Sequence, residues 1–240
     1  DHYDSLLCAG PHQEKEIRAR EQMYNLKEKN LIPYGNHRLE SLMEKATQTF
    51  QNQETHVLLA PTWGDQSILN TIGSKLCKII LDQGHKLTVR PHYETGKRTP
   101  GVLQELQANY GDHPKFNLIV SMSENESLFK SQLLITDWSG ISIEYSLGLG
   151  KPVIFIDLPP RVRNPKWQDL GIEPFESWIR KKVGKVTSPD DIDGISEKIN
   201  EVVSQKNQIM TQIKSIREQW VYNLGEASSV GPREIMKLLQ

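Results

Sequence analysis

Residues 133–157, LLITDWSGISIEYSLGLGKPVIFID, decide the architecture of this chain. Leu133–Thr136 and Pro152–Ile156 are short, apolar and rich in β-branched residues, without polar alternation. That is the pattern of strands covered on both faces, as in a parallel sheet. Between them a polar turn, Asp137–Gly140, opens a helix of about two turns. Gly148 and Gly150 stop that helix, because glycine just past a last turn takes the left-handed conformation without a Cβ clash.

The chemistry lies in the turn. Ser139 is a suitable N-cap, and the amides of Gly140, Ile141 and Ser142 are expected as the unpaired donors of the first helical turn. A helix N-terminus at the carboxyl end of a parallel strand attracts anions, and open α/β sheets place their ligands at that edge. Gly140 lets an oxygen approach the backbone closely, while Ser139 and Ser142 add hydroxyl donors. Spacing alone leaves a phosphate site and an ordinary capped turn equally open.

Moving outward, 240 residues suffice for one large domain or two small ones. The 29 basic and 30 acidic residues balance, which excludes a nucleic-acid surface read from charge. No run of apolar residues is long enough to cross a bilayer and no secretory signal is present, so a soluble, cytoplasmic chain is expected. Cys8 and Cys77 sit in apolar segments as small unpaired hydrophobes. The histidines are scattered, no metal-ligand spacing occurs, and no metal or cofactor is expected. Neither G-x-x-x-x-G-K-[ST] nor G-x-G-x-x-G is found, which argues against a nicotinamide enzyme.

In chain order, Ser5–Ala9 reads as a strand and His12–Leu26 as a helix. A lone strand and helix cannot bury their own apolar faces, so they are expected to be the remnant of a preceding α/β half. Pro33, Gly35 and Asn36 mark a hinge, followed by a helix over Leu39–Phe50. This divides the chain into residues 1–50, remnant plus hinge, and 51–240, a Rossmann-like nucleotide-binding domain. His56–Trp63 is a buried strand ending in a polar loop, and Ser67–Asp82 an amphipathic helix with Ile68, Ile72, Leu76, Ile79 and Ile80 on one stripe. Lys86–Pro91 and Asn117–Met122 read as strands, Pro100–Tyr110 and Glu124–Gln132 as helices. Past a long connection, Pro159–Ile179, come a short edge strand (Val183–Thr187) and a helix that Ser188-Pro189-Asp190-Asp191 opens well. That helix runs to Gln205, another to Tyr222, and Gly231-Pro232 breaks the chain before a last one. Repeated strand–helix alternation predicts a doubly wound parallel α/β sheet.

Other candidates share the sheet edge of the central turn. His92, in Val89-Arg90-Pro91-His92, has the chemistry of a general acid or base, or of a hydrogen-bond donor to phosphate. A solvated loop histidine is the competing reading. Arg90 offers a planar fork for a phosphate, and Thr62, in Ala60-Pro61-Thr62-Trp63, a hydroxyl and loop amides. Glu144 lies one turn into the central helix, where a carboxylate can accept from both ribose hydroxyls or simply favour the helix N-terminus. Arg161 and Arg163, in the long connection, could neutralise an anionic substrate or be solvated.

Taken together, Val57–Trp63 (VLLAPTW), Arg90-Pro91-His92 and Ile135–Ile154 (ITDWSGISIEYSLGLGKPVI) resemble the carboxyl-terminal half of the CDP-glycerol glycerophosphotransferase family, which builds teichoic-acid-type polymers. Pro33–Leu42 resembles the linker between the halves of this GT-B fold, and the likeness covers most of residues 3–192. The resemblance implies a CDP-activated polyol phosphate as donor and a polymer or lipid-linked acceptor hydroxyl, in cell-wall or capsule synthesis, with peripheral contact at the inner membrane face. It places Thr136, Asp137, Ser139 and Gly140 on the nucleotide pyrophosphate, His92 beside the transferred phosphoryl group, and Glu144 on the ribose. Trp138 departs from the family's tyrosine and Gly140 from its second serine. Ser139-Gly140, with Gly35-Asn36-His37, is also similar to UDP-N-acetylglucosamine 2-epimerases and sugar-nucleotide glycosyltransferases. A non-catalytic nucleotide-binding domain is the third reading.

Overall fold

The β-branched runs pair side by side, all in parallel. The computed structural model describes residues 2–46, 54–121, 125–160, 162, 164 and 166–239. Strands β1 (Ser5–Cys8) and β2 (Asn30–Pro33) form a small sheet of their own. Six more strands, β3 (His56–Leu59), β4 (Lys86–Val89), β5 (Phe116–Leu118), β6 (Leu133–Thr136), β7 (Val153–Ile156) and β8 (Gly184–Thr187), form the main sheet in the order β5-β4-β3-β6-β7-β8. The doubly wound expectation is met. The chain order reverses between β3 and β6, whose register pairs Val57 with Leu133 and Leu59 with Ile135. A crevice opens at the carboxyl ends of two such strands, where the connections leave toward opposite faces.

Every residue of β3, β6 and β7 is buried, as their unbroken apolar runs require. The helix Gly73–Asp82 contributes Leu76, Cys77, Ile80 and Leu81 to the same core. It is separated from a first turn, Ile68–Thr71, at Ile72 (φ −115°, ψ 6°). The single helix predicted there is split where a β-branched residue precedes Gly73, two poor helix formers in succession.

Three readings change. The stretch taken as hinge begins as β2, because Leu31 and Ile32 find partners in Leu6 and Leu7 of β1. The helix after it starts at His37, with Asn36 Oδ1 accepting from the Leu39 amide at 3.2 Å. Its expected end at Phe50 lies outside the described residues, as do Glu124 and the candidates Arg161 and Arg163. Tyr93–Arg98, between the predicted strand and the helix that starts at Pro100, is a short helix. Gly231-Pro232 does not break the chain, for the helix Ala227–Leu238 runs through it. The close seat of Gly231 against Tyr34, whose Cε2 would lie 2.7 Å from an added Cβ, holds that helix down despite the proline.

The last helices tie the two sheets together. Ile209, Ile213 and Ile216 of Lys206–Trp220 are buried. The Tyr222 amide then donates to the Ala9 carbonyl (2.9 Å), and Asn223 Nδ2 donates to Pro33 O (2.7 Å). Buried Glu40 accepts from the amides of Gly225 and Ala227 at 2.8 and 3.0 Å. Gly35 passes beneath with φ 102°, where a Cβ would meet Tyr222 O at 2.4 Å, so only glycine fits. Among the described residues, no helix is long and apolar enough to cross a membrane.

Candidate functional site

Two polar side chains at the end of β6 brace the sheet. The Thr136 hydroxyl is fully buried and donates to the Ala60 carbonyl at 2.7 Å. The Asp137 carboxylate, 1% exposed, accepts from the amides of Thr62 (2.7 Å) and Ile68 (3.1 Å). Burial raises its pKa above the ordinary value, while those amides pull it back. The pair therefore fixes the loop after β3 against β6, with both side chains engaged in hydrogen bonds inside the protein.

Trp138 follows, with its ring held from two sides. Its Nε1 donates to Leu158 O at 2.6 Å, and the buried Arg180 guanidinium lies 3.8 Å from the ring centroid. Arg180 is anchored in turn to Asp157 Oδ1 (3.1 Å) and Ile156 O (3.2 Å).

The helix begins one residue later than Ser139 was expected to cap it. Gly140 is the N-cap, at φ −60° and ψ −18°, and no side chain caps the turn. Ser142 is drawn inward: its amide (3.2 Å) and its hydroxyl (2.9 Å) both donate to the Ser139 carbonyl. Of the three amides predicted to be unpaired, Ser142 is thus satisfied. Those of Gly140 and Ile141 have no acceptor among the described residues. Beyond Ile143 the helix widens into a π-helical turn, Glu144–Gly148, a form common at functional positions. Glu144 there meets Arg38 in a bidentate ion pair, Oε1 to Nε at 2.6 Å and Oε2 to Nη2 at 2.7 Å.

Facing this turn stand the loops after β3 and β4. His92 Nδ1 accepts from the Glu94 amide at 3.1 Å and so caps the helix Tyr93–Arg98. A ring whose Nδ1 is an acceptor carries its proton on Nε2 when neutral. The Trp63 ring is packed 6.1 Å from the His92 ring.

These parts enclose a cleft of about 620 Å³ over the β3/β6 crevice. Thr62, Arg90, His92, Ser139, Gly140 and Glu144 line it together, as the shared sheet edge predicted; Thr136, Asp137 and Ser142 do not. Two arginines against one glutamate make the lining basic, which suits an anion. Sequence reasoning missed Arg38, which lies in the linker stretch yet reaches a carboxylate 106 residues away. It also missed Arg180 beneath Trp138. Nothing local marks either one.

Comparison with known proteins bears on the family and the fold. The family model described as CDP-Glycerol:Poly(glycerophosphate) glycerophosphotransferase matches residues 1–158. No protein of curated function matches the sequence. Among solved structures, the wall teichoic acid polymerase TagF, in a CDPG soak, aligns at 19% identity with a TM-score of 0.60, over 99% of this chain and 58% of that one. The UDP-GlcNAc 2-epimerase of Neisseria meningitidis bound to UDP-GlcNAc aligns at 15% identity and TM-score 0.62, over 98% of this chain and 62% of that one. A putative UDP-N-acetylglucosamine 2-epimerase from Listeria monocytogenes gives 16% identity and TM-score 0.60, over 99% and 60%. At such identities the likeness is one of fold, the GT-B architecture, and the chain spans about three fifths of each of these proteins. The match of the family model across well over half of the sequence carries the assignment: this chain belongs to the CDP-glycerol:poly(glycerophosphate) glycerophosphotransferase family.

Proposed function

We propose that the cleft holds the diphosphate of a nucleotide-activated donor, and that the protein moves glycerol phosphate, or a related polyol phosphate, from a CDP donor to an acceptor hydroxyl of a cell-wall or capsule polymer. The observation that carries this reading is the pair of unpartnered amides, Gly140 and Ile141, on a basic cleft at the sheet's reversal point. The acceptor oxygen attacks the β-phosphorus, the bond from that phosphorus to the bridging oxygen breaks, and CMP leaves with the bridging oxygen. The acceptor's proton passes to solvent or to the departing phosphate. Charge on the phosphoryl oxygens is met by the two amides, the Ser139 hydroxyl and Arg90, so catalysis is mostly positioning and fixed electrostatics.

His92 acts in this scheme as a donor. Because Nδ1 is committed to the Glu94 amide, the neutral ring presents Nε2–H to a phosphoryl oxygen, and taking up a second proton would cost the helix cap. Glu144 keeps a lone pair on each oxygen beyond the Arg38 pair, enough to accept from both ribose hydroxyls. Residues 1–50 and 51–240 are proposed as the remnant of one half and the nucleotide-binding half, with the last helices crossing back between them. The protein is proposed to work in the cytoplasm, with peripheral contact at the inner membrane face.

Thermal unfolding with CDP-glycerol, CMP, UDP and GDP tests the donor. CDP-glycerol and CMP are expected to raise the Tm, the uridine and guanosine nucleotides far less. A preference for UDP would favour a glycosyltransferase or 2-epimerase, the reading that Ser139-Gly140 supports. No stabilisation by any of them at millimolar concentration would favour a non-catalytic domain.

A further inference from the structure

Beside the diphosphate cleft lies a second cavity of about 440 Å³, and the two share the wall formed by Thr62, Trp63 and Trp138. We infer that this second cavity binds an uncharged, hydroxylated group, a polyol or sugar unit at the acceptor's reacting end. The inference rests on the proposed donor site, because the shared wall is what puts a hydroxyl within reach of the phosphates.

Three features point to that chemistry. Both tryptophans are anchored by neighbours: Trp138 by Arg180 and Leu158, Trp63 by the Arg98 guanidinium, which lies 4.8 Å from its centroid, with the tilted His92 ring 6.1 Å away. The ring surface that these cations leave uncovered offers apolar area to the C–H groups of a polyol or sugar at little cost in ordering. Second, the polar lining is built of acceptors and donors set around those rings: Asp65, Gln66, Glu94 and Arg98. Arg98 pairs with Glu94 at 2.7 Å, and that hydrogen bond holds the Glu94 carboxyl below its ordinary range, leaving an ionised acceptor for a hydroxyl. Third, the charge differs from the neighbouring cleft. Asp65, Glu94 and the buried Asp137 outnumber Arg98, so the cavity is acidic where the cleft beside it is basic. An acidic lining turns away phosphates and accepts neutral hydroxyls.

The test uses methyl β-glucopyranoside, glycerol and glycerol 3-phosphate as probes, read by saturation-transfer NMR on the whole chain with and without saturating CDP. Asp65 and Gln66 are exposed, so the double variant Asp65→Ala/Gln66→Ala leaves the core intact. The glucoside or glycerol is expected to bind in the presence of CDP, and the double variant to weaken it about tenfold, as the loss of two hydrogen bonds would. Calorimetry should find CDP affinity unchanged in that variant. Displacement of the probe by CDP, equal probe binding in the variant, stronger binding of glycerol 3-phosphate than of glycerol, or no binding of either neutral probe would each overturn the inference. Should CDP fail to bind while the neutral probes bind and the variant loses them, the hydroxyl subsite stands and the donor reading falls.

Discussion

Gly140→Ala separates a ligand-binding turn from a merely structural one, because the two effects have opposite signs. Gly140 sits at φ −60° and ψ −18°, a conformation open to any residue, and a Cβ built there meets no heavy atom within 4 Å. Neither the backbone nor the packing asks for glycine. In the free protein the alanine reduces the freedom of the unfolded chain and should add about 0.4–1 kcal/mol of stability. For a chain of this length that is a Tm higher by about 1–4 °C. With nucleotide the methyl stands where a phosphate oxygen must approach the amides of Gly140 and Ile141.

Losing one hydrogen bond to a charged group costs about 1.5–3 kcal/mol, or about ten- to 150-fold in affinity. A ligand at one hundred times its Kd stabilises by about 2.7 kcal/mol; after a thirtyfold loss of affinity the same concentration gives about 0.9 kcal/mol. Scanning calorimetry of both proteins, with and without CMP, reads both numbers at once. The expected result is a higher Tm without ligand and a ligand-induced shift cut to about a third. An unchanged ligand shift in the variant would refute the argument, since the methyl would then occupy space that no phosphate uses.

His92→Asn should retain the cap of the helix Tyr93–Arg98, asparagine being among the best N-caps, while removing the Nε2 donor. Its Tm should stay near wild type while turnover falls by about 10²-fold or more, and full activity in a steady-state assay would end the donor role. His56, at the other end of the sheet, donates to or accepts from Thr88 Oγ1 at 2.8 Å, and burial, followed by the charge of Lys86, pushes its imidazole down to about 4. The unfolded chain, titrating at 6.5, then takes up a proton that the folded one refuses. The stability of the neutral ring is therefore intact above 6.5 and drains away toward pH 4, at up to about 1.4 kcal/mol per pH unit. Urea denaturation across that range should show a flatter profile for His56→Gln; the same slope in both proteins would count against it. Lys151 Nζ donates to the carbonyls of Leu128, Phe129 and Ser131 at 2.6–2.9 Å and closes the end of the helix Glu126–Lys130. Lys151→Met should cost about 3 kcal/mol or more through buried acceptors left unpaired, and a loss below about 1 kcal/mol by chemical denaturation would contradict this.

What could be read from the sequence was whatever a parallel sheet fixes by direction alone. Continuous runs such as Leu133–Thr136 and Val153–Ile156 announce buried strands, and every strand of the main sheet points the same way. The loops after them, carrying Thr62, His92 and Gly140, therefore had to share one edge. Side-chain direction had no such guide. The family resemblance assigns Thr136 and Asp137 to the nucleotide, yet the loop after β3 brings the amides of Thr62 and Ile68, 75 and 69 residues away, to the Asp137 carboxylate. The Arg38–Glu144 pair spans 106 residues and depends on how the linker helix lies against the π-turn. Pro232 misled for the opposite reason: a strong local signal was overruled by packing on Tyr34.

A buried carboxylate beside the proposed diphosphate site looks like an error of charge, and its resolution bears on how that cleft would select its ligand. Two like charges about 4 Å apart near a protein surface repel by about 4 kcal/mol, which Asp137 would impose on any anion it faced. It faces none. Its two oxygens are spent on backbone amides of the opposite strand's loop, and Trp138, clamped by Arg180, lies beyond it in the chain. The carboxylate thus keeps the two loops at a fixed separation, while Arg38 is already neutralised by Glu144. In the proposed site the ligand would meet Arg90 and a set of directed donors, the Gly140 and Ile141 amides and the Ser139 hydroxyl. A site of that kind recognises the geometry of a diphosphate more than its net charge, because amides set by the sheet need no reorganisation when the phosphates arrive.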